Sequence, residues 1–215
     1  MSLAIIAPVY QNYTVLTDFL QSLETQINTN YHLFLVDVSK EKKEIPMTTV
    51  IYTRIEAVNQ GYAAAVNVGV NAAVNKGFET FCIVNSDIVF AENFTLETLK
   101  SLEEHPHSII GGKIYYASGY EYHKDRYTID DRGKVIWYAG GDIDLNHATA
   151  HHRGVDEVDK GQYNTPEQTN FVTGCLLCYD KWVYEKVGEW NQKYFMYYED
   201  ADFCIRAKKQ NIPLF

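Results

Sequence analysis

Three carboxylates stand within four residues near the end of the sequence, at Glu199, Asp200 and Asp202. The segment continues as a predicted helix, in which Asp202 and Arg206 lie four residues apart on one face and are expected to pair. Carboxylates at the start of a helix can cap free backbone N–H groups and face the positive end of the helix dipole. They can also act as general bases when their surroundings raise their pKa toward the working pH.

An aromatic run precedes these acids and favours a catalytic interpretation over capping alone. A cap needs one side chain, whereas three acids are present, and residues 194–198 would form an apolar wall beside them. Such a wall shields a carboxylate from water and raises its pKa, while the helix dipole lowers it. The sequence leaves that balance open, and capping remains the alternative.

The residues on either side of the acids extend this into a longer pattern, which comprises Gly174, Cys175, Cys178, Gly188, Trp190, Asn191, Phe195, Glu199, Asp200, Asp202 and Arg206. It resembles the acceptor-side signature of family 2 glycosyltransferases, and more closely their rhamnosyltransferase-like branch, which acts on bacterial surface polysaccharides. The resemblance covers nearly the whole chain.

Composition limits the classes of partner. The chain has 215 residues, 46% of them hydrophobic and 22% charged, which is ample for one folded domain. Its formal net charge of −9 argues against a nucleic-acid partner, because binding phosphate backbones requires clustered Lys and Arg. A small anionic ligand would need backbone amides or a divalent cation.

The sequence shows neither a membrane span nor a signal peptide. No apolar run approaches the roughly 18 to 20 residues that cross a bilayer, so we expect a cytoplasmic protein without a transmembrane segment. Peripheral association with the inner face of the membrane stays open, because a lipid-linked acceptor requires proximity only. Residues 213–215 resemble the start of a strand, so the domain is expected to be incomplete at its C-terminal end.

The four cysteines are predicted to be buried free thiols. Cys175 and Cys178 have zinc-like spacing, but a structural zinc site needs four ligands and no second pair follows. The other two, Cys82 and Cys204, also lie in apolar segments.

Short apolar runs alternate with helical patterns in the first part of the chain. Strands are predicted at residues 3–7, 33–36, 50–52 and 81–84, and helices at 18–23 and 63–74. This alternation predicts right-handed crossovers and an α/β fold with a mainly parallel central sheet flanked by helices. Further elements are predicted as helices at 94–104 and 180–187 and strands at 109–115, 135–138 and 171–179.

Polar residues follow these strands, at the edge where parallel sheets bind ligands. No dinucleotide-binding or Walker-type glycine motif occurs, which argues against dehydrogenases and NTPases. The residues expected at this edge are Pro8, Tyr10, Asp37, Asn59, Gly61, Asn85 and Asp87.

The family resemblance implies a fold of the GT-A type in a single domain, residues 1–215. Residues 1–90 would form the Rossmann-like half that binds the nucleotide sugar, and residues 91–215 the acceptor-side half. The irregular stretch 117–163 would be the variable acceptor region. Its His147, His151 and His152 are interpreted as loop residues rather than metal ligands, because no further ligand matches them.

The resemblance also assigns roles on the donor side. Asp87 matches the acid that holds Mg²⁺ or Mn²⁺ against the diphosphate, although relatives often have two acids there. Asp37 matches the carboxylate that binds the base or ribose, and Thr173 and Gly174 match the turn that supports the donor sugar. A turn-forming role for Asp87 is the alternative.

The helix after Gly61 carries small residues that would let the backbone approach the nucleotide, while Asn59 and Asn67 fix the loop geometry. Close packing of the helix on the sheet through Ala63, Ala65 and Gly69 is an equally good explanation of those small residues. The positions concerned are Asn59, Gly61, Ala63, Ala65, Asn67 and Gly69.

The reaction implied is an inverting sugar transfer in which Asp200 is the general base and Glu199 orients the acceptor or donor sugar. The donor would be a UDP- or dTDP-linked sugar such as rhamnose, and the acceptor a glycan or lipid-linked saccharide. Two alternatives remain: a non-catalytic module that binds nucleotides or glycans, and a sugar nucleotidyltransferase. The second lacks the glycine-rich, basic N-terminal loop that would hold a triphosphate.

Overall fold

The computed structural model describes residues 1–215, with ten strands and five helices. The strands are β1 (Leu3–Val9), β2 (Tyr31–Asp37), β3 (Tyr52–Glu56), β4 (Thr80–Val84), β5 (Ile109–Ile110), β6 (Ile114–Tyr115), β7 (Ile136–Tyr138), β8 (Gly141–Asp144), β9 (Thr149–His152) and β10 (Leu176–Asp180). The helices are α1 (Leu16–Glu24), α2 (Tyr62–Asn75), α3 (Phe94–Glu104), α4 (Lys181–Val187) and α5 (Glu199–Lys209), with a 3-10 turn at Lys124–Arg126.

Six strands form the central sheet, in the order β3-β2-β1-β4-β10-β5. The first four are mutually parallel, and β10 runs antiparallel to both β4 and β5. Two small antiparallel pairs, β6 with β7 and β8 with β9, lie outside this sheet. The predicted α/β fold with a mainly parallel sheet is therefore confirmed.

Apolar side chains cover both faces of the sheet. Alternate residues of β1 point to opposite sides, so Ile6 packs in the cluster with α2 and α5 and Ile5 in the cluster with α1 and α3. Burial on both faces explains why β1 is an almost continuous apolar run rather than an alternating one. None of the helices combines the length and the apolarity needed to cross a bilayer.

Three predicted strands were wrong in extent. Residues 109–115 form two short strands in different sheets, separated at Gly111 and Gly112, where a Cβ on Gly112 would collide with the Leu176 side chain. The strand predicted from residue 171 begins only at Leu176, because Gly174 lies in a turn and its N–H bonds to Asp200 instead of a neighbouring strand. The strand predicted at residues 50–52 lies later in the chain, where β3 spans Tyr52–Glu56.

The four cysteines are free thiols, as predicted. Cys82, Cys178 and Cys204 are buried, whereas Cys175 is half-buried. Its partial exposure is consistent with its place in the turn that precedes β10, outside the sheet.

Helix α2 packs closely on the sheet through its small residues. Ala63 and Ala65 are buried in the core, and a Cβ on Gly69 would collide with the Ile6 side chain and approach Val36 at 3.0 Å. Gly69 therefore sets the distance between α2 and the sheet. Packing accounts for this part of the small-residue pattern.

Replacing Gly69 by Ala is expected to lower the free energy of unfolding by about 1–3 kcal/mol, because Ile6 is fully buried and has no room to move. The higher helix propensity of Ala would offset at most about 1 kcal/mol. Urea unfolding monitored by circular dichroism measures this change. Val68→Ala, at a partly exposed site on the same helix, should change stability much less, and equal losses would show that Gly69 is not a packing constraint.

Candidate active site

A cleft of about 320 Å³ opens at the carboxyl ends of β1 and β4, beside the start of α2. Polar side chains and backbone from these strand ends meet there with the aromatic segment that precedes α5. Its lining residues are Pro8, Tyr10, Asn12, Val15, Val38, Asn59, Gly61, Tyr62, Ala65, Asn85, Ser86, Asp87, Phe195 and Met196. The structure thus brings together six of the residues expected at this edge: Pro8, Tyr10, Asn59, Gly61, Asn85 and Asp87.

Asp37 lies behind the cleft and does not line it. Its side chain is fully buried, and its Oδ2 accepts hydrogen bonds from the Tyr13 hydroxyl at 2.7 Å and from Arg54 at 2.6 Å. Oδ1 accepts from the Ser39 N–H at 3.0 Å and lies 3.5 Å from the Lys42 ammonium. Burial alone would raise the pKa of Asp37, but these hydrogen bonds outweigh it and lower the pKa to about 2.

The two predicted asparagines fix backbone geometry. The Asn59 side chain accepts from the Gly61 N–H at 3.1 Å in a local turn. Asn67 is buried, and its amide bonds to both the N–H and the C=O of Trp190 at 2.8 Å each. Asn67 therefore holds the loop before α5 and is not part of the cleft.

Gly61 allows that loop to reach the cleft. Its φ is +101°, and a Cβ there would collide with the backbone of Phe195. The next residue, Tyr62, donates its N–H to the Phe195 carbonyl at 2.8 Å. Residue 61 must be glycine for the aromatic segment to lie against the start of α2.

Asp200 is held by the turn before β10. Its Oδ2 accepts from the Gly174 N–H and its Oδ1 from the Ala201 N–H, both at 2.8 Å. Burial raises the pKa of Asp200, although the bonds from these two amides oppose the rise. The Tyr62 hydroxyl donates to the Gly174 carbonyl at 2.9 Å, so Tyr62 connects the cleft to the Asp200 site.

Glu199 is 7% exposed, and its Oε2 has no hydrogen-bond partner. Burial raises the pKa of Glu199, and the neighbouring charge of Asp200 adds to the rise. Neither acid caps α5 in the usual way, since the N-cap residue is Tyr198 and makes no side-chain cap bond. The two acids form a partly dehydrated pair, as a general base requires.

The third acid has a structural role. Asp202 pairs with Arg206 at 2.7 Å, as predicted, and Arg206 also donates to the carbonyls of Val187 and Glu189. The two bonds from Arg206 tie α5 to the end of α4 and to the loop that follows it.

The aromatic run does not form the predicted wall beside the acids. Phe195, Tyr197 and Tyr198 are more than half exposed. Asp200 instead packs beside Gly174, which also lies close to Trp190, and both residues come from other parts of the chain. The sequence interpretation was wrong on this point because it assumed that shielding must come from neighbours along the chain.

Several residues of the site were not found from the sequence. Tyr62 could have been noticed as the first residue of a helix that begins at a glycine turn. The sequence indicates only a thiol at Cys175, yet the Cys175 carbonyl accepts a hydrogen bond from the Asn85 N–H at 3.1 Å. This bond joins the strand end that carries Asp87 to the turn that holds Asp200. His152 bonds through Nδ1 to the Trp137 carbonyl at 3.1 Å, and burial lowers its pKa.

Asp87 supplies an exposed carboxylate to the cleft. Nowhere in residues 1–215 do three or more His, Cys, Asp or Glu side chains meet in a group that could hold a metal ion. Mg²⁺ commonly binds through one or two carboxylates together with water and substrate phosphates. The donor set here fits a divalent cation that arrives with a diphosphate, and does not fit a preformed metal site.

Comparison with known proteins agrees with this geometry. Residues 4–157 match the model of a family described as glycosyl transferase family 2. A segment of 54 residues is 32% identical to a Haloferax volcanii protein described as low-salt glycan biosynthesis hexosyltransferase Agl10, covering 25% of this chain and 18% of that one.

Solved structures show the same fold. Residues 1–349 of S. aureus TarS in complex with UDP superpose with a TM-score of 0.62 at 16% identity, over 100% of this chain and 58% of that one. The mannosyltransferase PcManGT from Pyrobaculum calidifontis, in complex with GDP-Man and Mn²⁺, gives 0.59 at 13% identity, over 99% of this chain and 53% of that one. This chain thus spans just over half of these two solved chains, and 35% of a longer solved chain of S. aureus TarS. At these identities the likeness shows the fold, which is of the GT-A type, as the sequence resemblance implied.

The buried Asp37 network predicts a pH-dependent contribution to stability. Because the folded pKa, about 2, lies below the ordinary value of 3.8, Asp37 stabilises the fold above about pH 4 and loses this contribution as the pH falls toward 2. Asp37→Asn should therefore cost about 2 kcal/mol or more at pH 7 and less at pH 3. Urea unfolding at both pH values measures the difference in the free energy of unfolding between the wild type and the variant.

The matched control is Asp130→Asn, because Asp130 is exposed. This variant should lie within about 0.5 kcal/mol of the wild type at both pH values. If the loss of stability caused by Asp37→Asn were the same at pH 7 and pH 3, this result would contradict the lowered pKa of Asp37.

Proposed function

The chain belongs to glycosyl transferase family 2, and on that basis we propose that it transfers a sugar from a nucleoside-diphosphate sugar to a saccharide acceptor. One observation carries the proposal: a cleft at the carboxyl ends of the parallel strands connects through Tyr62 and Gly174 to two acids whose pKa values are raised by burial. A donor site beside a general base is what such a transfer requires.

In this proposal the cleft holds the nucleotide and diphosphate. Its volume lies in the range of small-molecule sites. Thr173 and Gly174 support the donor sugar from the turn before β10. Asp37 and Asn67 act indirectly, the first by tying together the strand ends behind the cleft and the second by holding Trp190. The residues proposed to line the donor are Pro8, Tyr10, Asn59, Gly61, Asn85 and Asp87.

Asp87 is the residue proposed to hold Mg²⁺ or Mn²⁺, jointly with the phosphate oxygens of the donor. A bound divalent cation would neutralise the charge that develops on the departing diphosphate. The Mn²⁺ in the structure of the Pyrobaculum mannosyltransferase supports this choice by analogy of fold.

The chain's own groups carry the proton. The carboxylate of Asp200 removes the proton of an acceptor hydroxyl, whose oxygen attacks the anomeric carbon as the bond to the diphosphate oxygen breaks. The products are the glycosylated acceptor, with inverted anomeric configuration, and the nucleoside diphosphate. Glu199 orients a sugar hydroxyl, and the Gly174 N–H fixes the direction of the Asp200 carboxylate.

The finer features of the proposal rest on the sequence resemblance. They are a UDP- or dTDP-linked donor, rhamnose as the sugar, a surface polysaccharide or its lipid-linked precursor as the acceptor, and a cytoplasmic location at the inner face of the membrane. The donor-binding half would be residues 1–90 and the acceptor-side half residues 91–215, in a single domain.

One observation favours a second candidate, a non-catalytic module that binds nucleotides or glycans on the same scaffold. Asp87 is a lone carboxylate at the position where relatives often have two acids. Nucleotide binding that is indifferent to divalent cations, without donor hydrolysis, would favour this candidate.

Asp200→Asn is expected to lower the rate of transfer at least 100-fold, because Asn keeps the shape of the side chain and cannot accept the proton. Binding of the nucleoside diphosphate should be unchanged, which isothermal titration calorimetry measures. Asp202→Asn, on the same helix but outside the proposed chemistry, should keep most of the activity. Full transfer by Asp200→Asn would remove Asp200 as the base.

Asp87→Ala tests the donor site through thermal stability. The wild type is expected to gain about 2.7 kcal/mol with UDP or dTDP at 100 times the dissociation constant, and only when Mn²⁺ is present. The variant should lose this gain while its melting temperature without ligand stays the same. An equal gain in both proteins would contradict the role of Asp87.

A further inference from the structure

His152 is a half-buried titratable side chain that the proposed chemistry does not use. It is the last residue of β9, and its Nδ1 bonds to the Trp137 carbonyl at 3.1 Å. Because a carbonyl oxygen only accepts, Nδ1 carries a proton in the neutral imidazole and Nε2 is the nitrogen that gains or loses one. The charge of the ring can therefore change while this hydrogen bond stays in place.

Three aromatic rings fix the orientation of the imidazole. Its centroid lies 4.5 Å from the Trp137 ring and 5.1 Å from the Tyr138 ring, both edge to face. The Phe171 ring is nearly parallel to it at 6.0 Å. The Tyr138 hydroxyl also donates to the Phe171 carbonyl at 2.6 Å, so ring and backbone contacts hold the same cluster together. An imidazole packed on these sides keeps a fixed position in the site.

Phe171 joins this cluster to the turn that holds Asp200. Its N–H donates to the carbonyl of Gly141, the residue paired with His152 across the β8–β9 hairpin. A Cβ on Gly141 would lie 2.9 Å from the Phe171 ring, so the hairpin lies directly against residue 171. Three residues later, the Gly174 N–H bonds to the Asp200 carboxylate. The hairpin thus supports the turn that orients this carboxylate.

Asp200 and His152 also act on each other through their charges. Burial is the largest influence on both, and it raises the pKa of Asp200 and lowers the pKa of His152 from its ordinary value of 6.5. In the opposite direction, the charge of His152 lowers the pKa of Asp200, and the charge of Asp200 raises the pKa of His152. A reciprocal influence is what two interacting titratable groups must show.

The other titratable groups that the charge of Asp200 affects cannot become cations. They are thiols and phenols whose pKa is raised by burial, together with one further acid. These groups are Tyr62 on α2, Tyr138 on β7, Cys175 before β10, and Glu199 and Cys204 on α5.

The permanent cations near the cluster are already paired. The Arg153 guanidinium bonds to Glu167 at 3.1 Å, and the Lys208 ammonium bonds to an asparagine side chain. His152 is therefore the group in this cluster that can bring a new positive charge to Asp200.

We propose that His152 is a positioning residue for the transfer reaction, which supports the turn at Gly174 through Phe171 and brings a positive charge to Asp200 in mild acid. At neutral pH the ring is uncharged, and Asp200 keeps the basicity that proton abstraction needs. As the pH falls, the imidazolium forms before Asp200 takes its proton, so the carboxylate stays ionised to a lower pH than burial alone would allow. This inference rests on the proposed function, in which Asp200 is the base.

The decisive measurement is the pH titration of the Asp200 carboxyl carbon by ¹³C NMR, on the whole chain labelled at aspartate, with Asp200→Asn to assign the resonance. His152→Phe keeps an aromatic ring against Phe171 and removes the charge. Its Asp200 midpoint should lie about 0.5 to 1 pH unit above that of the wild type. His151→Phe is the matched control, because His151 is the exposed neighbour on the same strand, and its midpoint should equal that of the wild type.

The reciprocal titration needs no change at His152. The imidazole midpoint of His152, followed by NMR of histidine-labelled protein, should be lower in Asp200→Asn than in the wild type, because the variant removes the negative charge that favours the imidazolium. If melting temperatures show that His152→Phe does not fold, His152→Gln and this reciprocal titration decide the matter. Unchanged midpoints in both directions would overturn the inference.

Transfer kinetics separate the charge of the ring from its packing. His152→Phe should shift the acid limb of kcat/KM upward by the same amount as the Asp200 midpoint, so its loss of activity is larger at pH 5 than at pH 7. His152→Ala also removes the ring from Phe171, and should lower kcat about tenfold at pH 7 as well, with the KM for the donor unchanged. Equal losses at both pH values in His152→Phe would contradict a role through charge.

The outcomes distinguish this inference from the proposed function, because the carboxyl titration does not depend on turnover. A raised Asp200 midpoint in His152→Phe, with neither nucleotide binding nor transfer by the wild type, would support the coupling of His152 to Asp200 and count against the transferase proposal. Transfer by the wild type, with the same Asp200 midpoint and the same acid limb in His152→Phe, would overturn the inference and leave the proposed function standing.

Discussion

The backbone of Phe195 lies against the start of α2 so closely that a side chain at position 61 has no space. This contact brings two distant parts of the chain together: the strand-end cleft of the first half and the acid-bearing helix α5. Asn67 reinforces it by bonding both backbone groups of Trp190, and Tyr62 extends it to Gly174. At least one partner in each of these bonds is a backbone group. The position of the cleft relative to the acids is therefore set mainly by the main chain, which is less flexible than long side chains.

The same structure gives two buried aspartates opposite electrostatic settings. Burial favours the neutral form of both Asp37 and Asp200. At Asp37 a guanidinium and a phenol compensate for the lost water, and the charge becomes part of the framework that ties β2, β3 and the loop after β1 together. Asp200 receives two backbone amides and no close cation, so its pKa stays raised. A carboxylate with a lowered pKa is a poor proton acceptor, and this difference in pKa separates the structural acid, Asp37, from the proposed base, Asp200.

The sequence predicted the parallel strands, α2, α3 and α5 because each has a local signal: an apolar run, a helical period or an acidic helix start. It also predicted which residues lie at the edge of the sheet formed by the carboxyl ends of the strands, because a residue that follows a parallel strand must lie at that edge. It could not predict where a side chain points, and Asp37 turns away from the cleft toward Arg54. Some contacts join residues far apart in the chain, such as Gly61 with Phe195 and Gly174 with Asp200. The sequence marks each of these residues singly, but only the structure shows which residue contacts which. The extent of β10 was wrong for the same reason, because the partner of the Gly174 amide lies 26 residues later.

The single carboxylate at Asp87 has a consequence for the order of events in the proposed reaction. A site with one charged ligand holds a hard cation weakly, because most of its coordination shell must come from water or phosphate. In the proposed site, the affinity for the cation would therefore depend on the diphosphate, and by linkage the affinity for the diphosphate would depend equally on the cation. Two ligands whose binding is strongly coupled occupy a protein mostly as a pair. The proposed donor site would therefore be either empty or filled by both the cation and the diphosphate. Such coupling would keep Asp200 from acting before a donor with its cation fills the cleft.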